Sequence, residues 1–198
     1  MYKVFFNQKP IILSTEIIKN DDSCPLFYIK FSVTEKIISA LKKKSISSVI
    51  LYHPKKEKLI MHFNKLFPIV EAAGGLVINE LNQFLFIYRN KKWDLPKGRM
   101  RKNEPIIDAA VREVEEETSV KDLIVKKPLT ITYHIFKRNT KYKLKKTYWY
   151  LMKTSYSGKL VPQLNEGIER AVWKDKDEIQ SVMKNVYKNI EVLIKEIL

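Results

Sequence analysis

Cysteine is nearly absent: Cys24 stands alone among 198 residues. One thiol excludes an internal disulfide framework and a thiolate zinc site, so a reducing, cytoplasmic setting is the expectation. With 5 Gly and 8 Pro the chain is neither fibrous nor low in complexity, and 45% hydrophobic residues exclude a disordered chain. No apolar run approaches the roughly 20 residues that span a bilayer, so no membrane partner is expected. The opening Met1-Tyr2-Lys3-Val4-Phe5-Phe6-Asn7 turns polar too early for a signal peptide. His53, His62 and His134 are scattered without ligand spacing. Negative charge is also in short supply: 22 Asp and Glu face 37 Lys and Arg, a formal net charge of +15. Such an excess suits a polyanionic partner. Only 6 of the cations are Arg, however, and the 31 Lys and 23 Ile form a skew that coding bias toward A and T also produces. Phosphate contacts in nucleic-acid complexes recruit Arg as well as Lys, so nucleic acid is open as a partner but not favoured.

Hydrophobic patterning divides the chain near Pro68. Before it, Val4 to Phe6, Ile11 to Leu13 and Leu26 to Phe31 read as strands between polar turns. Ser32-Val33-Thr34-Glu35 has capping-box spacing and opens a helix with Ile37, Ile38 and Leu41 on one face. Lys42-Lys43-Lys44 closes it, suiting the helix dipole. Val49 to Tyr52 is a further strand, and Lys55 to Phe67 a helix facing inward through Leu59, Ile60, Phe63, Leu66 and Phe67. Residues 1–68 are thus expected to form a small α/β domain of unassigned role, open to a part in the substrate pocket or in a homodimer. Residues 69–198 read as a second domain. It starts with a strand from Ile69 through Gly74-Gly75, whose paired glycines mark a bulge or a close backbone approach, and Phe84 to Tyr88 pairs with it. A helix follows from about Pro105 to Thr118, then strands near Leu129 to Lys137, Lys146 to Thr154 and Arg170 to Trp173. One last helix is expected from Ile179 to Leu198, with Val182, Val186, Ile190, Leu193 and Ile197 on a stripe.

The chemistry concentrates between Gly98 and Val120. On a helix Glu113, Glu116 and Glu117 stand at i, i+3 and i+4, so three carboxylates crowd one face. Unpaired, each like-charged couple costs about a few tenths of a kcal/mol, whereas a shared hard divalent cation reverses the sign. Oxygen-only ligands select Mg²⁺ or Mn²⁺ over zinc. The plain alternative is a solvated acidic face with Arg112 as counter-ion. Ile107, Ala110, Val111 and Val114 make the opposite face apolar, so the helix is packed and its carboxylates point somewhere defined. Trp93-Asp94-Leu95-Pro96-Lys97-Gly98 leads into this stretch.

Gly98, Glu104, Arg112, Glu113, Val114, Glu116, Glu117 and Val120 resemble the signature of the Nudix hydrolases, G-x5-E-x7-R-E-U-x-E-E-x-G-U with U apolar, at eight of nine fixed positions. Ser119 replaces the family's second Gly. The resemblance covers about Ile69 to Leu198. It implies an α/β/α sandwich with a mixed sheet, and a pyrophosphohydrolase in which Glu113, Glu116 and Glu117 bind Mg²⁺ or Mn²⁺ with the Gly98 carbonyl as a further ligand. Glu104 and Arg112 would be structural, pairing loop to helix. The catalytic base would be a box glutamate, Glu113 or Glu116, or the later Glu166. At the Ser119 position Gly is favoured because it takes a positive φ readily, so a loop shift of one residue is conceivable without loss of any ligand.

Substrate identity is less sharply marked. Between Asp122 and Glu166 lie 43 residues with ten cations and no carboxylate side chain. They either meet a substrate with several phosphates or keep a hairpin edge soluble. Arg89, Trp93, Lys97, Arg99 and Tyr133 are candidates for substrate contact, although strand aromatics, including Tyr148 and Trp149, more often fill cores. The Trp-Asp-Leu-Pro-Lys-Gly approach resembles that of relatives acting on dinucleoside polyphosphates or diphosphoinositol polyphosphates. The expected substrate is a nucleoside diphosphate joined to another moiety, or one of these two. A non-catalytic nucleotide sensor and an RNA-binding or RNA-processing protein are the alternatives.

Overall fold

The computed structural model describes residues 4–198; Met1 to Lys3, the start of the stretch read above against a signal peptide, lie outside the described residues. In chain order the elements are β1 (Val4–Phe6), β2 (Lys9–Ser14), β3 (Leu26–Tyr28), α1 (Thr34–Lys42), β4 (Val49–Tyr52), α2 (Lys56–Leu66), β5 (Ile69–Asn79), β6 (Phe84–Arg89), β7 (Lys92–Asp94), β8 (Lys97–Arg99), α3 (Ile106–Thr118), β9 (Ile124–Pro128), β10 (Thr132–Arg138), β11 (Lys141–Thr154), β12 (Ile168–Lys174), α4 (Lys176–Met183) and α5 (Lys188–Ile194). They form two compact units: Met1–Val70 with Tyr133–Lys146, and Glu71–Thr132 with Thr147–Leu198. Among the described residues no helix is long and apolar enough to cross a membrane.

In the first unit the strand order is β10-β1-β2-β4-β3. β2, β4 and β3 run parallel, while β1 is antiparallel to β2 and parallel to β10. Alternation puts Val4, Phe6, Ile11, Leu13, Val49 and Leu51 on one face, where Ile37, Ile38 and Leu41 of α1 and Leu59 and Phe63 of α2 cover them. The tip of the β10–β11 hairpin belongs here too: Ile135 and Leu144 enter the same core. No capping box opens α1. Its N-cap is Val33; the Ser32 hydroxyl donates back to the Tyr28 carbonyl at 3.0 Å and Thr34 to that of Leu66 at 3.0 Å, so neither side chain caps the helix.

The second unit orders its main strands β12-β6-β5-β11, with β7 on β6, β8 on β5 and β9 on β11. Ala73, Val77 and Leu85 meet α3 through Ala109, Ala110 and Val114. On the opposite face Leu76, Phe84, Phe86 and Trp149 meet Ile179 and Val182 of α4 and Ile190, Leu193 and Ile194 of α5. This is the α/β/α sandwich that the resemblance implies. At Gly74 a side chain would run into Pro96 and Lys97, so the glycine lets β8 lie against β5.

Other expectations also need correction. The strand expected over Leu26 to Phe31 stops at Tyr28, and Ile29–Phe31 form a short 3₁₀ turn that ends with the Ser32 N–H donating to the Ile29 carbonyl. The last helix is broken: Asn185 and Val186 leave it, the Trp93 N–H donates to the Asn185 carbonyl at 3.0 Å, and the Asn185 amide reaches the Lys91 carbonyl at 2.8 Å. The apolar stripe continues across the gap and hides it from periodicity. Strand β9 was not expected either, because only Val125 of its five residues is even half-buried.

Ser119 caps α3 in the left-handed region, φ 64° and ψ 11°. The serine takes the conformation usually given to glycine, and the helix ends without slipping. Its hydroxyl lies 3.4 Å from the Val161 carbonyl. Ser119→Gly is expected to raise stability by about 0.5–1 kcal/mol in denaturant unfolding, because the left-handed conformation penalises a Cβ.

Candidate active site

Helix α3 and the strands beneath it set the geometry. Arg112, one helical turn before Glu116, lies at the centre. Its guanidinium grips Glu104 twice, Nε to Oε1 at 2.6 Å and Nη2 to Oε2 at 2.8 Å. Nη1 donates to Glu113 at 2.6 Å and to Glu116 at 2.9 Å, and Nη2 reaches the Arg99 carbonyl at 3.2 Å. The Arg101 N–H closes on Glu104 at 2.7 Å, while its guanidinium holds the other oxygen of Glu116 at 2.8 Å. The loop before α3 is thereby tied to the helix by charge-assisted bonds. Hydrogen bonding from Arg112 drives the Glu104 carboxyl down to about 2.

The three box carboxylates differ in surroundings. Glu116 is the open one, with 38% of its side chain exposed. Glu113 is nearly buried, and burial raises its carboxyl against the pull of Arg112, with Glu116 and Glu166 adding to the rise. Glu117 is fully buried; its Oε2 accepts the Lys97 N–H at 2.8 Å and Oε1 lies 3.5 Å from Arg89. Burial pushes it up to about 7 despite Lys97 and Arg89. Beneath it, the Lys97 ammonium sits 2.5 Å from the buried Asp94, and Arg89 approaches the same carboxylate at 3.4 Å. Burial opposes the charge on Asp94, yet Lys97 and Arg89 hold it below the usual range.

Gly98 faces Glu113 so closely that a methyl group there would overlap the carboxylate. Gly98→Ala must displace Glu113, and the expected result is at least a tenfold loss of hydrolysis rate with a stability loss of about 1–3 kcal/mol, read by parallel rate and unfolding measurements. Glu166 ends a short 3₁₀ turn, Leu164–Glu166, near enough for its charge to act on Glu113. The turn is tethered to α3, because the Val161 and Gln163 N–H groups donate to the carbonyls of Thr118 at 3.0 Å and Glu117 at 3.3 Å.

The structure therefore brings Gly98, Glu104, Arg112, Glu113, Glu116, Glu117 and Glu166 around one end of α3. Arg89 and Lys97 lie beneath them with their cations engaged by Asp94 and Glu117. Arg99 is exposed and contributes its carbonyl. The half-buried Trp93 stands edge-on to Tyr88, with centroids 4.9 Å apart, and the Arg170 guanidinium lies 4.4 Å from Tyr88 and 5.1 Å from Trp93. Tyr133 belongs to the other unit and packs against its core. Trp149 is core, its Nε1 donating to Thr132 at 2.8 Å. Sequence reasoning missed Asp94 and Arg170 as site-forming residues, and it read Arg101 as a cation beside the box without its bonds to Glu104 and Glu116. Asp94 had a signal, an acid set between Trp93 and Leu95-Pro96, two apolar steps that point to burial.

Among the described residues no three acidic, His or Cys side chains form a ready-made metal cluster, because guanidinium groups stand between the carboxylates. The donor set still fits a hard cation. It is all oxygen, and Arg112 Nη1 marks a point where one positive group is already held by both Glu113 and Glu116.

Comparisons with known proteins bear on the family and the fold. The NUDIX domain family model matches residues 68–195. An RNA pyrophosphohydrolase of Pelagibacter ubique (strain HTCC1062) is 30% identical over 157 residues, which cover 70% of this chain and 99% of the relative. A C. elegans Ap4A hydrolase binary complex shares the fold with a TM-score of 0.50 at 19% identity, over 64% of this chain and 93% of its own. So does RenU, a Nudix hydrolase from M. smegmatis, with a TM-score of 0.50 at 15% identity, over 64% and 83%. With a family match spanning well over half its length, the chain belongs to the NUDIX domain family.

Proposed function

We propose that this Nudix pyrophosphohydrolase cleaves a pyrophosphate bond in a nucleoside diphosphate joined to another moiety or in a dinucleoside or diphosphoinositol polyphosphate, with Mg²⁺ or Mn²⁺ held by Glu113, Glu116 and Glu117 and by the Gly98 carbonyl. The observation that carries it is the placement of one positive group between Glu113 and Glu116, with Gly98 pressed against the former. When bound, such an ion screens phosphate charge and lowers the pKa of water. Arg112 and Glu104 hold the helix and its preceding loop in one geometry. Arg101 and Arg99, exposed at the rim, meet phosphate oxygens and orient the chain of anhydrides. Glu166, on its tethered turn, takes the proton from attacking water, or Glu113 or Glu116 does so; phosphorus is attacked in line and the phosphate on the far side of the anhydride leaves.

Two substrate classes deserve a direct contest. Dinucleoside and diphosphoinositol polyphosphates carry several phosphates for the basic rim. The 5′-triphosphate end of RNA is favoured by the 30% identity to an RNA pyrophosphohydrolase. The test is a panel of both classes and a nucleoside diphosphate sugar, assayed for phosphate, pyrophosphate or nucleotide release with each metal and with Glu116→Gln as control. Metal-dependent release from one class, lost in the variant, supports the reading. No release from any, with tight nucleotide binding instead, would favour a sensor.

A further inference from the structure

The charge of the chain is not spread evenly. Met1–Val70 and Tyr133–Lys146, the first unit, contain 18 Lys and Arg against 5 Asp and Glu, a formal excess of +13 out of +15 for the whole chain. The unit with the Nudix box is close to neutral by the same count. Coding bias gives no reason for Lys to gather in one unit while Asp and Glu avoid it. Between Glu35 and Glu57 no carboxylate side chain occurs at all.

The same unit carries a row of rings. β2, β4 and β3 run parallel and end together at Ser14, Tyr52 and Tyr28. The carboxyl edge of parallel strands is where open α/β sheets bind ligands. Here Tyr28 stands 5.3 Å from Phe31, 5.7 Å from Tyr52 and 5.5 Å from His53, and His53 stands 5.7 Å from His62, all between ring centroids. Phe31 is 75% exposed and Tyr28 36%. A phenylalanine left this bare in the short 3₁₀ turn that follows β3, Ile29–Phe31, does nothing for the core. Lys30 lies 5.2 Å from the Phe31 ring, and Lys58, Lys65 and Lys30 are near enough for their charges to add to the burial that lowers the His62 imidazole.

We propose that the first unit binds single-stranded nucleic acid along this edge, bases stacking on Phe31 and Tyr28 while Lys30, Lys58 and Lys65 meet the phosphates. Flat, sequence-tolerant rings beside lysines are the ingredients of single-strand binding, and stacking needs no base-edge code. The proposal is independent of which anhydride the second unit cleaves.

The test uses the full chain, a fluorescent 12-nucleotide RNA with a 5′-hydroxyl, and EDTA, so that no pyrophosphate or metal engages the box. Anisotropy is expected to report binding that weakens with salt. Phe31→Ala should weaken it about five- to tenfold, within the range for losing one stacked base. Lys30→Ala with Lys58→Ala should lower the log–log salt slope by about 1.4, at roughly 0.7 per single-strand phosphate. Hydrolysis of a small pyrophosphate substrate should be unchanged in all of them. A DNA strand of the same sequence tells whether the ribose matters, and either sugar satisfies the proposal. It is overturned if Phe31→Ala binds RNA as the parent does, if inorganic polyphosphate competes as well as RNA per phosphate, or if anionic phosphatidylserine vesicles are captured through Phe31 while RNA is not.

Discussion

Glu116→Gln is expected to lower the rate of pyrophosphate hydrolysis at least about a hundredfold, the scale set by removing a key electrostatic or acid–base group. The amide keeps the size of the side chain, so the packing of α3 does not change, but its single oxygen accepts from Arg101 or Arg112 and not from both, because the two guanidiniums hold different oxygens of Glu116. What disappears is the negative charge that makes Glu116 a partner for a hard cation. Because the side chain is 38% exposed and lies at the mouth of the site, unfolding should move little, within about 0.5 kcal/mol. Rates at saturating metal and denaturant midpoints, measured together, separate chemistry from folding. Equal rates in variant and parent would assign the activity to another site or to a contaminant.

Arg112→Met should cost about 3 kcal/mol of stability, lowering the melting temperature by roughly 6–12 °C for a chain of this size. The guanidinium satisfies Glu104, Glu113 and Glu116 together, and both Glu104 and Glu113 are largely withdrawn from water. Methionine fills the volume and leaves these carboxylates without a counter-charge. The pH dependence gives a separate signature. Glu104 falls from an ordinary 4.5 to about 2 in the folded chain, so its contribution is present above pH 4.5 and drains away as pH drops toward 2. In Arg112→Met the folded value returns toward the ordinary one, and that part of the acid sensitivity should vanish. Added Mg²⁺ should recover more stability in the variant than in the parent, since there Glu113 has lost its guanidinium partner and Glu116 keeps only Arg101.

Much of the site was readable because it is local. Glu113, Glu116 and Glu117 follow helical spacing, and Gly98, Glu104 and Arg112 lie within a few turns of them, so sequence distance stood in for spatial distance. The buried set below was not readable. Arg89, Asp94, Lys97 and Glu117 come from β6, β7, β8 and α3, and nothing in a lysine's identity tells that its ammonium will be taken out of water by an acid three residues earlier. Lys97 looked like a rim cation for that reason. Periodicity likewise missed the break at Asn185, where the partner is the backbone of Trp93, more than ninety residues upstream in the chain.

The allegiance of Tyr133–Lys146 to the first unit has a consequence during synthesis. Once the leading seventy residues leave the ribosome, β1 still lacks its outer neighbour, and the hole reserved for Ile135 and Leu144 stays open until that distant hairpin emerges, roughly 4–15 s later at 5–20 residues per second. A nascent chain of this protein thus spends a defined interval with its basic half incomplete, and cutting the gene at residue 68 would make that interval permanent.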